Sequence, residues 1–338
     1  MYQHSVIGLD IAKQVFQAHT VDIETGQIVR LKLRRGQVLE FFAGRVPALV
    51  AMEACGSAHW WARQLVALGH AVRLLPPRQV RPFVLRNKTD AADAQAIWTA
   101  AQQPGIKSVA VKTPVQQSVL ALHRLRAQLL KMRIMQSNAV RGLLYEFGEV
   151  LPDGYGALRK VLPARLAALD GQLPGMLLQS LREQWARVQS LDGDIAALER
   201  RLHEVLRADP HCQAISAIPG VGVLTATAAV ATMGDPHSFR SGREFAAWLG
   251  LVPRQSGTGG RIRQLGISKR GDAYLRTLLM HAARAVITRG QHSAWLAALL
   301  KRRPFNVVVA ALAHKLARTI WAVLARGRSY DPTVFAAA

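Results

Sequence analysis

Ser5-Val6-Ile7-Gly8-Leu9-Asp10 is a short apolar run that ends on a carboxylate, and it reads as a buried strand. Val15 to Val21 and Ile28 to Leu33 read as two further strands, with Glu24-Thr25-Gly26 between them as turn chemistry. The chain therefore opens as a meander. Gln37 to Gly44 reads as a helix, Ala48-Leu49-Val50-Ala51-Met52-Glu53 as a second apolar strand ending on an acid, and Trp60 to Leu68 as a helix stopped by Gly69. Ala71 to Leu75 supplies one more strand before Pro76-Pro77. Strands followed by crossover helices imply an α/β sheet, and such sheets place functional groups at strand ends, where Asp10 and Glu53 fall.

From Val115 to Leu206 the texture changes to long helical periodicity, with Leu122, Leu125, Leu129 and Met132 in one block and Leu191, Ile195, Leu198 and Leu202 in another. Interleaved Arg and Lys make both blocks basic. Pro152, Gly154, Gly156, Pro163, Gly171, Pro174 and Gly175 interrupt them and predict a hinge or linker. An antiparallel arm or a coiled-coil dimer is expected. Beyond Ala214 the chain is largely helical, with a Gly-rich basic loop between Pro253 and Gly271. The expected class is α/β plus α: an α/β domain over 1–110, a helical arm over 111–208 and a small, mainly helical domain over 209–330.

The 338 residues carry 44 Lys plus Arg against 21 Asp plus Glu, a net charge of +23, so the summed field attracts polyanions. DNA or RNA is the expected partner. Aromatic residues are only 6% of the chain, which argues against extensive base stacking as the prominent mode. Cys55 and Cys212 match no metal-ligand spacing and read as structural thiols, and nothing resembles a signal peptide. A reducing cytoplasm is expected. Phe305 to Leu324 is apolar, but His314, Lys315 and Arg318 interrupt it, so it reads as a packed soluble helix rather than a membrane span.

Four carboxylates stand out against this basic background. An acid inside an apolar strand needs a partner or a shifted pKa, so Asp10 and Glu53 call for either a salt bridge or a cation. In Asn87-Lys88-Thr89-Asp90-Ala91-Ala92-Asp93-Ala94 two acids lie three apart and share a helical face. Taken alone, Asp90 and Asp93 read as capping residues in a first helical turn. Taken with Asp10 and Glu53, they could hold two magnesium ions for phosphodiester cleavage, a task that needs clustered oxygen ligands.

Ile218-Pro219-Gly220-Val221-Gly222, ahead of the helical run Val223 to Ala231, reads as a helix-hairpin-helix turn. The amides of Gly220 and Gly222 and the helix start could hold a phosphate, or the turn could simply join packed helices. Pro253-Arg254-Gln255-Ser256-Gly257-Thr258-Gly259-Gly260-Arg261-Ile262-Arg263 joins glycines, two hydroxyls and three guanidinium groups ahead of Ser268-Lys269-Arg270-Gly271. A hydroxyl there could attack phosphorus and conserve bond energy for rejoining. Composition alone favours a loop that grips backbone phosphates. Arg78, Arg81, Arg86 and Lys88, and later Lys301-Arg302-Arg303, read as electrostatic footprint.

Together these segments resemble one family over nearly the whole chain. Gly8-Leu9-Asp10-Ile11-Ala12-Lys13, Met52-Glu53-Ala54 and Asn87 to Ala94 are similar to the amino-terminal DEDD domain of insertion-sequence transposases of the "one-ten" group. Ile218 to Gly222, Trp248 to Arg254 and Leu265 to Asp272 resemble that family's carboxy-terminal transposase domain. The resemblance implies a RuvC-like, ribonuclease-H fold in front and a coiled-coil arm. It implies magnesium held by Asp10, Glu53, Asp90 and Asp93, and a serine nucleophile behind Pro253-Arg254. It also implies donor and target DNA, a non-coding bridge RNA as guide, and a dimer or tetramer with composite sites. Ser256 is the expected nucleophile and Thr258 its rival, because many relatives carry the serine one or two places later. Arg254, Arg261, Arg263, Lys269 and Arg270 are the expected phosphate contacts, with Ser268 a contact or cap. Two other readings remain open: a junction-resolving endonuclease that uses metal-activated water, and a nucleic-acid-binding protein in which the acids are structural.

Overall fold

The computed structural model describes residues 5–22, 24–84, 89–290 and 293–332. The expectations for Arg86, Asn87 and Lys88 lie outside the described residues. The chain forms two compact units, residues 1–114 and 115–338.

In the first unit, strands β1 (Val6–Asp10), β2 (Val15–Val21) and β3 (Ile28–Arg34) are followed by helix α1 (Val38–Ala43). Strand β4 (Leu49–Glu53), helix α2 (Ala58–Ala67) and strand β5 (Ala71–Leu75) come next, then the short α3 (Pro77–Val80) and α4 (Asp90–Ala101). They build one mixed sheet in the order β3-β2-β1-β4-β5. The meander pairs antiparallel, whereas β1, β4 and β5 run parallel because helices carry the chain back between them. One sheet face packs Phe16, Phe42, Trp61 and Leu65, and the other packs Ala96, Ile97 and Ala100 of α4. His70 ties α1 to β4: its Nδ1 accepts the Ala48 N–H at 3.1 Å and its Nε2 donates to the Phe42 carbonyl at 2.9 Å.

The second unit begins with α5 (Pro114–Tyr145), α6 (Tyr155–Ala168) and α7 (Gly175–Ala208). Arg126 Nε donates to Glu199 at 2.8 Å and Arg133 Nη1 to Asp192 at 2.8 Å, so numbers rise on α5 as they fall on α7. The arm is therefore an antiparallel pair. Glu199 is one of its clasps. The Pro- and Gly-rich stretch is not only a linker, because α6 runs through it with Pro163 inside the helix. Leu158, Leu162 and Leu166 recur at helical spacing and pack with Leu144, Leu181 and Trp185, and that burial outweighs the breaker residues.

The rest of this unit contains α8 (Pro210–Ser216), α9 (Val223–Met233), α10 (Gly242–Trp248), a hairpin of β6 (Pro253–Thr258) and β7 (Arg261–Ile267), α11 (Ala273–Thr288), α12 (Ala294–Arg302) and α13 (Phe305–Arg326). Helix α13 is long and apolar enough to cross a membrane. It nevertheless packs Val308, Leu312, Leu316 and Ile320 against Phe245, Leu275 and Leu279 in the core of this unit. Buried His123 on α5 shares its ring nitrogens with the Tyr274 hydroxyl at 2.9 Å and the Thr227 hydroxyl at 3.0 Å, joining three helices. Burial, followed by the charge of Arg126, lowers its pKa to about 4.

Candidate functional site

Strands β1 and β4 pair Val6 with Leu49, Ile7 with Val50 and Gly8 with Ala51. Continued by two residues, this register sets Asp10 beside Glu53 at the carboxyl ends of neighbouring parallel strands. Side chains alternate along a strand, so Asp10 shares the face of Gly8, and Glu53 shares the face of Ala51. That face is covered by α4. A Cβ on Gly8 would stand 2.4 Å from the Ala94 carbonyl oxygen and 2.6 Å from the Trp98 nitrogen, so only glycine admits the helix this close.

Further along α4, Ala100 and Ala101 pack in the cluster that Val6 joins. The helix thus runs against β1, and its first turn lies at the Asp10 end. Asp90 and Asp93 occupy that first turn. The capping reading of Asp90 is corrected: Thr89 is the N-cap, its hydroxyl accepting the Ala92 N–H at 3.2 Å. Asp90 is exposed and Asp93 half-buried, and neither is spent on the cap.

The Cys55 thiol, just past β4, reports on the same place. Partial desolvation pushes its pKa up, and the carboxylates of Glu53 and then Asp10 push it further. Cys212 is the structural thiol expected from the sequence: burial, then the Asp209 carboxylate, raises its pKa to about 12.

The four acids expected at this end of the sheet offer hard oxygen donors, the chemistry that a magnesium ion takes. Among the described residues, no three His, Cys, Asp or Glu side chains close into a group that could hold a metal ion. Asp10 and Glu53 are brought together, and Asp90 and Asp93 are carried to the same end without completing a cage.

The expected Gly-rich loop between Pro253 and Gly271 is a β-hairpin instead. Gly259 and Gly260 take φ of +54° and +79°, the left-handed pair that a two-residue turn demands. Ser256 stands opposite Arg263 and Thr258 opposite Arg261, so both hydroxyls share one face with two guanidinium groups. Between them, a Cβ on Gly257 would meet the Arg261 carbonyl oxygen at 2.5 Å. A side chain at that place would need the hairpin to shift. Arg254, Ser256, Thr258, Arg261 and Arg263 are all exposed.

At the hairpin base, Lys269 has φ +54°, and a Cβ on Gly271 would fall 1.8 Å from the Trp248 carbonyl oxygen. The crossing is held by Arg276, whose Nη1 donates to the carbonyls of Leu249 and Arg270 at 2.9 Å. Asp272, not Ser268, caps α11, accepting the Leu275 N–H at 2.8 Å.

In the helix-hairpin-helix turn, Gly220 has φ +85°, and a Cβ there would reach Val286 Cγ2 at 2.7 Å. Its glycine is required by packing. Gly222 is the N-cap of α9, with open space at its Cα, and the helix start carries no side-chain cap. A cavity of about 440 Å³ opens there, lined by His203, Gly220, Gly222 and His281. Sequence reasoning missed the His123 network, because Tyr274 and Thr227 lie 151 and 104 residues away along the chain.

A chain of net charge +23, with Asp10 and Glu53 side by side at the ends of parallel strands, fits the class of proteins that act on nucleic acid. A DEDD transposase pattern of the IS110 type matches residues 7–148, and the pattern of the Transposase IS116/IS110/IS902 family matches residues 212–299. A "Probable family 20 transposase" of Pseudomonas aeruginosa is 49% identical over 334 residues, covering 97% of this chain and 99% of the relative. The "Transposase for insertion sequence element IS1111A" of Coxiella burnetii is 39% identical, covering 96% and 91%. The "Transposase for insertion sequence element IS1328" of Yersinia enterocolitica is 38% identical, covering 97% and 98%. The chain belongs to the IS110/IS116 family of insertion-sequence transposases. Its activity is DNA cleavage and rejoining.

Proposed function

We propose that Ser256 is the nucleophile of this transposase and that Asp10, Glu53, Asp90 and Asp93 hold magnesium ions. The observation that carries the reading is the cross-strand placement of Ser256 and Thr258 opposite Arg263 and Arg261. The Ser256 oxygen forms a bond to phosphorus, the bond from phosphorus to the leaving strand breaks, and the serine proton departs with the leaving hydroxyl. Reversal by a new strand's hydroxyl rejoins DNA and restores the serine, so no outside energy source is required. Arg254, Arg261 and Arg263 counter the charge that gathers on the phosphate oxygens. When bound, the metal supplies Lewis-acid stabilisation of those oxygens. Gly220, Gly222, Lys269 and Arg270 hold neighbouring phosphates.

The sheet order β3-β2-β1-β4-β5, with a meander followed by parallel strands, supports a RuvC-like, ribonuclease-H-type unit. Residues 1–110, 111–208 and 209–330 act as catalytic domain, arm and transposase domain. We take the enzyme to work in the cytoplasm on donor and target DNA under the guidance of a bridge RNA. Exposed Leu125 and Leu143 on α5 support self-association through the arm. In such a dimer or tetramer, Ser256 of one subunit serves the carboxylates of another.

Purified protein with magnesium, labelled donor and target duplexes, and RNA from the element's flanks should form a covalent protein–DNA adduct. Ser256→Ala abolishes the adduct and strand joining by at least about a thousandfold, as loss of a nucleophile does. Thr258→Ala leaves the adduct in place. Magnesium-dependent nicking that survives Ser256→Ala would replace this reading with water attack.

A further inference from the structure

A second cationic site lies in the carboxy-terminal unit, away from the residues given roles above. An open cavity of about 720 Å³ is lined by the start of α10, the later half of α13 and the segment that follows it. Its lining includes Arg243, Lys315, Arg318, Arg326 and Arg328, with Asp331 the single carboxylate among the lining residues. Gly242 allows this crowding, because a Cβ there would stand 2.9 Å from the Arg318 carbonyl oxygen, and the close approach brings Arg243 up to α13.

Arg243, Arg318 and Arg326 make no ion pair among the described residues. Their charge is felt in the surroundings. His314 has a lowered pKa through burial, then Arg318, then Arg243, while Lys315, only 6% exposed, is lowered by burial and by Arg318. Four guanidinium groups and an ammonium around one opening, against a single carboxylate, concentrate positive charge that a bound anion neutralises.

The cavity is not only basic. Trp321 lines it with a fixed ring, its indole N–H donating to the Pro236 carbonyl at 2.9 Å, and Tyr330, Ala322 and Val323 complete an apolar wall. Guanidinium groups beside aromatic rings, in a volume well above that of a lone phosphate, match a phosphate joined to a flat base.

We propose that this cavity captures a single nucleotide swung out of a bound nucleic-acid strand, with its phosphate on Arg243 and Arg318 and its base against Trp321 and Tyr330. Arg326 and Arg328 hold the flanking backbone. A base stacked within a duplex cannot enter, so the site selects single-stranded or locally opened DNA or RNA. The site needs neither the metal nor Ser256.

The test is binding by the full-length protein in EDTA, where cleavage is absent and failure of the nucleophile assignment has no bearing. Tetranucleotides of DNA and of RNA, each with an internal 2-aminopurine, are titrated and followed by anisotropy and by quenching of the fluorescent base. Arg243→Gln with Arg318→Gln should weaken binding about tenfold, remove the quench and flatten the salt dependence. Arg326→Gln with Arg328→Gln, both exposed, should weaken binding less and leave the fold unaltered. Ala322→Trp, which fills the cavity without removing charge, should remove the quench. A stronger quench with DNA or with RNA identifies the strand that supplies the nucleotide, and either supports the site. Unchanged affinity and quench in Arg243→Gln/Arg318→Gln would overturn it. So would inorganic phosphate competing as well as the tetranucleotide, which would reduce the site to an anion trap.

Discussion

The acid-bearing end of the sheet and the serine hairpin are built on opposite principles. Asp10 and Glu53 end strands whose preceding residues are buried and locked in register, under a helix seated so closely that Gly8 admits no Cβ. Ser256 and Thr258 stand on one strand of a hairpin that is exposed along nearly its whole length, held by its ladder and a two-glycine turn. Where groups must keep a fixed spacing, the fold invests a core; where a group must meet a large substrate, it leaves backbone and side chain open. Mutations should therefore act through global stability in the first case and through activity in the second.

The largest expected effect is at Gly8. Gly8→Leu forces a side chain into the backbone of α4 and should cost about 3 kcal/mol or more, lowering the thermal midpoint along with activity. A variant that melts like the parent would break the contrast. Next comes acid. The pKa of His123 falls from 6.5 in the unfolded chain to about 4 in the fold, so the unfolded state binds the extra proton between those values. Its contribution is complete above pH 6.5 and is lost as pH falls towards 4; at about 1.4 kcal/mol per pH unit it amounts to about 3 kcal/mol. Urea midpoints measured across that range should follow this slope, and His123→Gln should flatten it.

A smaller effect is expected at the hairpin tip. Gly260→Ala strains a residue at φ +79° by about 1 kcal/mol and should depress strand joining while leaving the global melt in place. Equal loss in both readouts would show that the hairpin is tied to the core after all. The smallest effect is on the arm, where Glu199→Gln removes the partly exposed clasp to Arg126 and should shift stability by about 0.5 kcal/mol.

The opening α/β sheet was legible because burial and turn chemistry agree: Val15–Val21 and Ala71–Leu75 begin and end where their apolar patterns do. The serine segment was not, since Arg, Gln, Ser and Gly lack strand character and only the register of the Gly259-Gly260 turn makes them a ladder. Helix α6 was hidden for the converse reason, its glycines and Pro163 outweighed by a leucine stripe with partners on α5 and α7. Thr89 took the cap offered equally by Asp90, a choice that helix geometry makes and composition does not. The basic cavity on α13 was invisible, because Arg243 joins Arg318 only through the contact at Gly242.

What the chain alone determined was its family, its basic character and the α/β opening, all of which rest on local pattern and residue type. What only tertiary structure decided was which side chains meet. The β1–β4 register sets Asp10 beside Glu53, the hairpin register sets Ser256 opposite Arg263, and helix crossings assemble His123 with Tyr274 and Arg243 with Arg318. Such meetings join residues far apart in sequence, and they follow from where buried surfaces close rather than from any spacing along the chain.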